Sequence, residues 1–319
     1  MASAAELRFT LEGVAAGMRE DGRELLDWRH VSMEVDLLPH ASGSCRLISG
    51  CSEILVGVSA TLSKPDADLP DMGRIAVSVG GGPGEAVYNG LPDYDALAQG
   101  AVEPDAKRLW LESALSKLYG PSVTPTALRA LCIVPGAQCW ELKAHVQLLR
   151  ADGCPLDAAA IALRAALHTT RVPRVAVAEA AGGDGDGGDG GAAATGARLE
   201  VEIEETLEEC TPFDASAVPL YVTPASLDGQ LVADCTAKER CAAACALSLG
   251  LTADGTIAAL NGGGSFGMHV SLLAAAIAAA RQLGAALHAA AAEAIRQAEE
   301  AAERRGGPAA CEGVGFALH

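Results

Sequence analysis

The chain has 319 residues, half of them hydrophobic but only 3% aromatic, and a formal net charge of −18 at pH 7. That length gives room for one large domain or two modest ones, with interiors filled by Ala, Leu, Val and Ile rather than by rings. So acidic a balance argues against non-specific wrapping of nucleic acid by this chain alone. No uninterrupted apolar run reaches the roughly 18–20 residues that span a bilayer. The Ala-rich stretch from Leu272 to Ala294 is broken by Arg281, Gln282, His288 and Glu293. The first residues lack a charged segment followed by an apolar core, so no secretory signal and no membrane partner are expected. Ten cysteines are scattered without a CxxC; Cys132, Cys139, Cys241 and Cys245 fall in hydrophobic runs. There Cys acts as a small buried hydrophobe, and a reduced intracellular compartment is expected. The histidines show no HxxxH or HExxH spacing, so neither a metal nor a cofactor is expected.

In chain order, residues 1–28 form a lead and 29–175 a first domain of strands followed by a helix. Val56, Val58, Ala60 and Leu62 alternate with small polar residues, and Ile75, Val77 and Val79 alternate again, both a strand period. The clearest strand is Cys139 to Leu149, with Trp140, Leu142, Ala144, Val146 and Leu148 on one face. Ala151-Asp152-Gly153 then turns, and Asp157 is placed to cap an all-round apolar helix ending at His168. Residues 176–215 read as a disordered acidic, Gly-rich linker. Eleven acids face one base, Arg198, between Glu179 and Asp214. The acidic stretch Glu200 to Glu209 is expected to be a solvated face, with docking of a basic partner the lesser reading.

The second half, 216–290, repeats this grammar. Strands are expected at Val218–Val222 and Gln230–Ala233, and a helix over about 237–246. A hairpin follows around Ala253-Asp254-Gly255, then a long helix over about 268–304. Its apolar stripe runs Val270, Leu273, Ile277, Ala280, Gly284, Leu287, Ala291. Residues 291–319 are the helix end and a tail. The result is an α+β chain of two pseudo-repeated strand-helix-strand units. Gly262 to Gly267 fits both a nucleophile elbow and a dinucleotide fingerprint. Only Glu312 and His319 follow as acid and base, and a helix replaces the strand that a dinucleotide site needs. A flexible connection is the better account.

The motifs together resemble a known family. Arg19-Glu-Asp-Gly-Arg23 with Asp27-Trp-Arg29, Ser42-Gly-Ser-Cys-Arg46 with Gly50, and Glu53 to Val58 are similar to the opening of RNase PH-like exosome ring subunits. Leu131-Cys-Ile133, Cys139-Trp140, Asp157-Ala-Ala, Thr169-Thr-Arg-Val-Pro173, Val218-Pro219, Val222-Thr223 and Val232-Ala-Asp234-Cys-Thr236 with Glu239 fit one branch of them. The resemblance covers roughly residues 15 to 290 and implies the RNase PH fold, ribosomal protein S5 domain 2-like. It also implies a six-membered ring of related subunits, topped by RNA-binding cap subunits, in the nucleus, the nucleolus and the cytoplasm. RNA is threaded through such a ring for 3′–5′ processing and degradation.

Active members cleave by phosphorolysis, which needs donors for inorganic phosphate and carboxylates with a divalent metal. The resemblance places their aspartate pair at Arg240 and Ala246. It places their phosphate-binding Gly-Gly-Thr-Arg at Gly153-Cys154-Pro155-Leu156, so Pro155 and Leu156 replace the hydroxyl and the guanidinium. It therefore implies a subunit with no catalytic residues and no metal. An active phosphate-dependent exoribonuclease, with Asp234 and Glu239 chelating a metal, stays open as a rival, as does a binding module outside any exosome. Of two arginines a helical turn apart that meet RNA in related subunits, Arg108 is present and Glu112 stands at the second position. Arg46, Arg108 and Arg171 are the RNA-contact candidates, Arg46 and Arg171 being equally suited to pairing with a neighbouring subunit's carboxylate. Arg19 and Arg23 are expected to pair with acids near Asp27.

Overall fold

The computed structural model describes residues 3–81, 104–179, 199–203, 210–264, 267–305 and 314–316. The lead contains a helix, α1 (Ala4–Ala15), begun by a capping box: Ser3 Oγ accepts from the Glu6 amide while the Glu6 carboxylate accepts from the Ser3 amide. Three strands then run as an antiparallel meander: β1 (Val31–Val35), β2 (Gly43–Ser49) and β3 (Ser52–Ser63). After β4 (Arg74–Gly81) come α2 (Pro104–Ser116), α3 (Pro125–Ala130), β5 (Cys132–Val134) and β6 (Gln138–Arg150). β6 inserts between β3 and β4, antiparallel to the first and parallel to the second. The alternation seen in the sequence is what the sheet uses. Leu142, Ala144, Val146 and Leu148 are buried, while Lys143 and His145 face solvent.

Helix α4 (Pro155–His168) is buried on every side from Pro155 to Leu167. Its Ala-rich surface lets it sit against β2 and β3 on one side and the second half of the chain on the other. Asp157 does not cap it. Cys154 occupies the N-cap without a side-chain bond, and Pro155 opens the helix with a φ already suited to it. The Asp157 carboxylate turns away from the helix end to Thr223.

The linker expectation for 176–215 is corrected at both ends. Short strands β7 (Arg171–Val172) and β10 (Thr211–Pro212) pair, and β8 (Val175–Glu179) pairs with β9 (Leu199–Ile203) between them. Leu-Glu-Val-Glu-Ile carries the two-residue period of a strand, which the acidic composition obscured. Phe213 and Ala215 are core residues. The expected disordered run 180–197, the acidic residues beyond Ile203 up to Glu209, and Ser265 of the glycine motif lie outside the described residues.

The second sheet contains β11 (Leu220–Val222), β12 (Ala225–Leu227), β13 (Gln230–Val232), β14 (Cys245–Leu251) and β15 (Ile257–Gly264). β14 is central, with β11 and β12 on one edge and β15 on the other. The helix before it, α5 (Ala237–Ala242), stops four residues short of the expectation. Ala, Cys and Leu suit either structure, and burial of all seven β14 residues between neighbouring strands decides for strand. Cys241 is exposed and Cys132 half-buried, against expectation. Cys45, Cys139, Cys154, Cys235 and Cys245 are buried, and the nine described cysteines are free thiols.

A single helix, α6 (Val270–Arg305), runs unbroken past residue 290. By length and mean hydropathy (1.6 over its most apolar window) Val270–Arg304 would pass as a membrane span. Its buried stripe, Ala276, Ala280, Leu287, Ala291, Ala294, Ile295 and Ala298, packs against β1, β11, β14 and α4, while 22% of the apolar window as a whole is buried. Val270, expected in the stripe, is exposed. Gly284 admits Leu251, whose Cδ1 would lie 2.8 Å from any added Cβ. Beyond α6, β16 (Val314–Phe316) returns to pair with the free edge of β1. One hydrophobic cluster joins both halves. A smaller one, around Val14, Cys154, Ala225, Leu227, Val232, Cys235 and Ala246, lies under α1.

Candidate functional site

The lead, the turn after β6 and the segment before α5 meet in a largely buried network of three arginines and four acids. Arg19 grips Glu239 in a two-pronged pair, Nε to Oε1 at 2.8 Å and Nη2 to Oε2 at 2.7 Å. It also donates to the carbonyls of Ala233 and Asp234. Arg29 grips Asp234 the same way, Nε to Oδ2 at 2.8 Å and Nη2 to Oδ1 at 2.7 Å, and reaches Asp152 Oδ2 at 2.7 Å with Nη1. Arg23 joins Asp21 and Asp234. Of the expectation that Arg19 and Arg23 pair with acids near Asp27, the structure shows the Arg23–Asp21 pair, and both arginines also donate to the Asp27 carbonyl. Their carboxylate partners Glu239 and Asp234 lie more than 200 positions away.

Each part is locally explained. Thr236 and Glu239 form a capping box that starts α5. The Glu239 carboxylate therefore accepts both from the Thr236 amide and from Arg19. Asp234 has φ +42, a left-handed conformation that Asp tolerates better than most residues. Asp152 Oδ1 accepts from the Ala237 amide, and the Asp152 amide and carbonyl both bond to Ser52 Oγ. Gly153 has φ +67, and a Cβ there would lie 1.7 Å from the Cys235 carbonyl oxygen, so the turn and the α5 lead are in direct contact. Sequence reasoning missed Asp152, and the Thr236-x-x-Glu239 spacing was the signal that could have placed Glu239.

Behind this network lies a closed interior. Asp157 accepts from the Thr223 amide at 2.9 Å and from Thr223 Oγ1 at 2.6 Å, with Ser248 Oγ 2.9 Å beyond. Burial pushes its carboxyl up to about 7, against the lowering effect of both Thr223 bonds. Arg240 and Ala246 are buried here. Burial pushes the Cys154 and Cys235 thiols up as well, and the Arg240 charge offsets part of that penalty. Pro155 and Leu156 are buried at the start of α4 and carry no side-chain donor. Among the described residues no group of three or more His, Cys, Asp or Glu is disposed to hold a metal ion. Asp234 and Glu239 are held by guanidinium groups, so a divalent cation would have to displace Arg29 and Arg19; this donor set does not fit a metal.

The model of the 3′ exoribonuclease family, domain 1 (RNase PH) matches residues 27–173. The exosome complex component Rrp42 of Thermococcus kodakarensis is 30% identical over 224 residues, which is 70% of this chain and 71% of that protein. The chain belongs to the RNase PH 3′ exoribonuclease family. Another relative, the exosome complex component Rrp42 of Methanothermobacter thermautotrophicus, is 27% identical over 246 residues, 77% of this chain and 79% of its own. This is the branch, ribosomal RNA-processing protein 42, that the second set of motifs resembles. Two solved structures share the fold. The "Archaeal exosome core" matches with TM-score 0.64 at 20% identity, covering 89% of this chain and 95% of that one. An Archaeoglobus fulgidus exosome with RNA bound to the active site matches with TM-score 0.64 at 19% identity, covering 89% and 96%. The expected RNase PH fold is the one observed.

In this RNase PH chain the three RNA-contact candidates are not brought together. Arg46, on β2, donates to Glu53 at 2.6 Å and reaches Glu34 at 3.5 Å. Those carboxylates are its own chain's, not a neighbouring subunit's. Arg108 lies on α2 against β4, which is three strand spacings from β2, roughly 14 Å. Arg108 donates to the Val79 carbonyl while Glu112 accepts from the Val79 amide. The pair closes the edge of β4, which gives Glu112 a structural reason to stand where an arginine was sought. Arg171 is exposed just beyond α4.

Proposed function

We propose that this chain is a non-catalytic subunit of an exosome ring, holding its neighbours in place and guiding RNA toward a nuclease elsewhere in the complex. Kinship with the Rrp42 exosome components supports the ring assignment. The observation that carries the non-catalytic reading is the burial of Arg240 and Ala246, at the two positions to which the resemblance assigns the active members' carboxylates. Phosphorolysis requires inorganic phosphate to attack the terminal phosphodiester while donors and a metal carry the developing charge. An apolar Pro155-Leu156 wall and two carboxylates already neutralised by Arg19 and Arg29 supply none of this. Removing a single electrostatic donor costs about 10²–10³ in rate, so removing all of them leaves no turnover.

In this proposal the ring has six RNase PH-like members, capped by RNA-binding subunits, and works in the nucleus, the nucleolus and the cytoplasm. Arg46, Arg108 and Arg171 make weak backbone contacts with RNA, which position a strand without reading its sequence. The test is RNA degradation with inorganic phosphate and Mg²⁺, by the chain alone and mixed with its ring neighbours. A silent chain that assembles into a ring is the expected result. Release of nucleoside diphosphates by the lone chain would overturn the non-catalytic reading, and a chain that stays monomeric beside those neighbours would overturn the ring.

A further inference from the structure

The outward face of the first sheet carries a cavity of about 380 Å³ that shares no lining residue with the arginine network. Its floor is Gly57 on β3; one wall is the loop Leu38–Ala41, and the other is the exposed row of Lys143 and His145 on β6 with Ser78 on β4. The cavity exists because Gly57 has no side chain; a Cβ there would meet Leu38 Cδ1 at 3.1 Å. Its loop wall is fixed before anything binds. Ser44 Oγ accepts from the Leu37 and Leu38 amides, and the Ser42 amide donates to the Val58 carbonyl. The opposite wall is also set, with His145 Nδ1 3.0 Å from Ser78 Oγ and its ring lying over Gly80.

The chemistry is two-part. Leu38, Pro39 and Ala41 offer apolar surface, whereas Lys143, His145 and His40 ring the mouth with the Ser59 and Ser78 hydroxyls. Among the described residues no carboxylate lines it, in a chain whose net charge is −18. The carboxylate two residues along β6, Glu141, is held by Arg74 at 2.9 Å and stands 3.8 Å from Lys143 Nζ. An apolar wall with flanking imidazoles suits a flat heteroaromatic ring, because unstacked bases pack on such surfaces. A compact ammonium at the rim suits a phosphate. The volume is that of a small-ligand pocket.

We propose that this cavity binds one nucleoside monophosphate unit, the base against the Leu38–Ala41 wall and the phosphate at Lys143. The unit comes either from free mononucleotide or from an unstacked residue of single-stranded RNA. Only the second source rests on the RNA-guiding reading above. The experiment follows the imidazole NMR signals of the full chain, assigned through His40→Gln and His145→Gln, during titration with adenosine monophosphate. His40 and His145 shift saturably, and adenosine or inorganic phosphate alone binds at least about tenfold more weakly. Lys143→Ala, an exposed change, weakens the nucleotide about tenfold, and Lys143→Arg restores most of it. A short single-stranded oligoribonucleotide that displaces the mononucleotide puts the site on an RNA path; failure to displace it restricts the site to free nucleotide. No saturable shift, or a shift that Lys143→Ala leaves unchanged, overturns the site itself without touching the ring proposal.

Discussion

Replacing Asp234 with Ala removes one carboxylate that accepts four bonds: from the Arg29 amide and Nε at 2.8 Å each, from Arg29 Nη2 at 2.7 Å, and from Arg23 Nη1 at 3.2 Å. Both partners in the Arg29 pair are shielded, with side-chain exposures of 10% and 3%. What the substitution costs is less the attraction lost than the guanidinium left to the partly exposed Asp152 alone among the described carboxylates, which puts the loss near the lower end of the about 3–5 kcal/mol for a buried pair broken on one side. Against a total stability of roughly 5–15 kcal/mol that is a large fraction. The assay is urea unfolding followed by circular dichroism, reading the midpoint at constant slope. Asp234→Asn keeps an acceptor and tolerates the same left-handed backbone, so it loses about half as much. Removing both charges, in Asp234→Ala with Arg29→Met, recovers part of the loss, with a coupling energy of about 2 kcal/mol. A single-mutant loss below about 1 kcal/mol, or strict additivity in the double mutant, would refute the view that this network clamps the two halves together.

Asp157 gives a pH signature. Its folded carboxyl lies near 7, above its ordinary 3.8, so the folded state holds the extra proton and stability declines as pH rises from about 4 to 7. The decline is on the order of 4 kcal/mol over that window, and Asp157→Asn flattens it; an unchanged slope would show that the carboxyl titrates normally. His288 acts in the opposite sense. Its Nε2–H donates to the Leu251 carbonyl while Nδ1 faces Arg164 Nη1 at 2.6 Å, and burial lowers its pKa. Its contribution is full above the ordinary imidazole pKa and is lost as pH falls through the lowered one. His288→Gln therefore makes the acid limb of the stability curve shallower, and an unaltered limb would count against the assigned tautomer. Gly153→Ala combines a left-handed backbone with a collision against the Cys235 carbonyl. It should cost upwards of ~3 kcal/mol, read as a fall in thermal midpoint, and a midpoint unmoved would mean that the turn can shift.

Features set by neighbours in sequence could be read before the structure. Residues Cys139 to Leu149 alternate because one face is core and the other water, and Pro155 to Leu167 are apolar all round because α4 is covered by both halves. The hairpin at Ala253-Asp254-Gly255 likewise announces itself through its turn residues. Features set by distant neighbours could not. Nothing local to Arg19 says that its partner is Glu239, 220 positions on. The Ala-Cys-Ala-Leu run became a strand because other strands enclose it. At the candidate site the proposal that Arg240 and Ala246 stand where active relatives carry acids rests only on resemblance, since an arginine and an alanine have no signature of what they would replace. The arginine–acid clamp beside them was visible as motifs, but its wiring was not.

The pairing of β16 with β1 has a consequence for biosynthesis. About 285 residues separate Val31 from Phe316 in the chain. At ordinary translation speeds ~15–60 s pass between the emergence of the two strands. Throughout that interval the first sheet can assemble around β2, β3 and β6 with its β1 edge bare, a template for any other extended chain nearby. The nascent protein thus passes through a period of exposure to misassembly that ends only when its last described strand arrives.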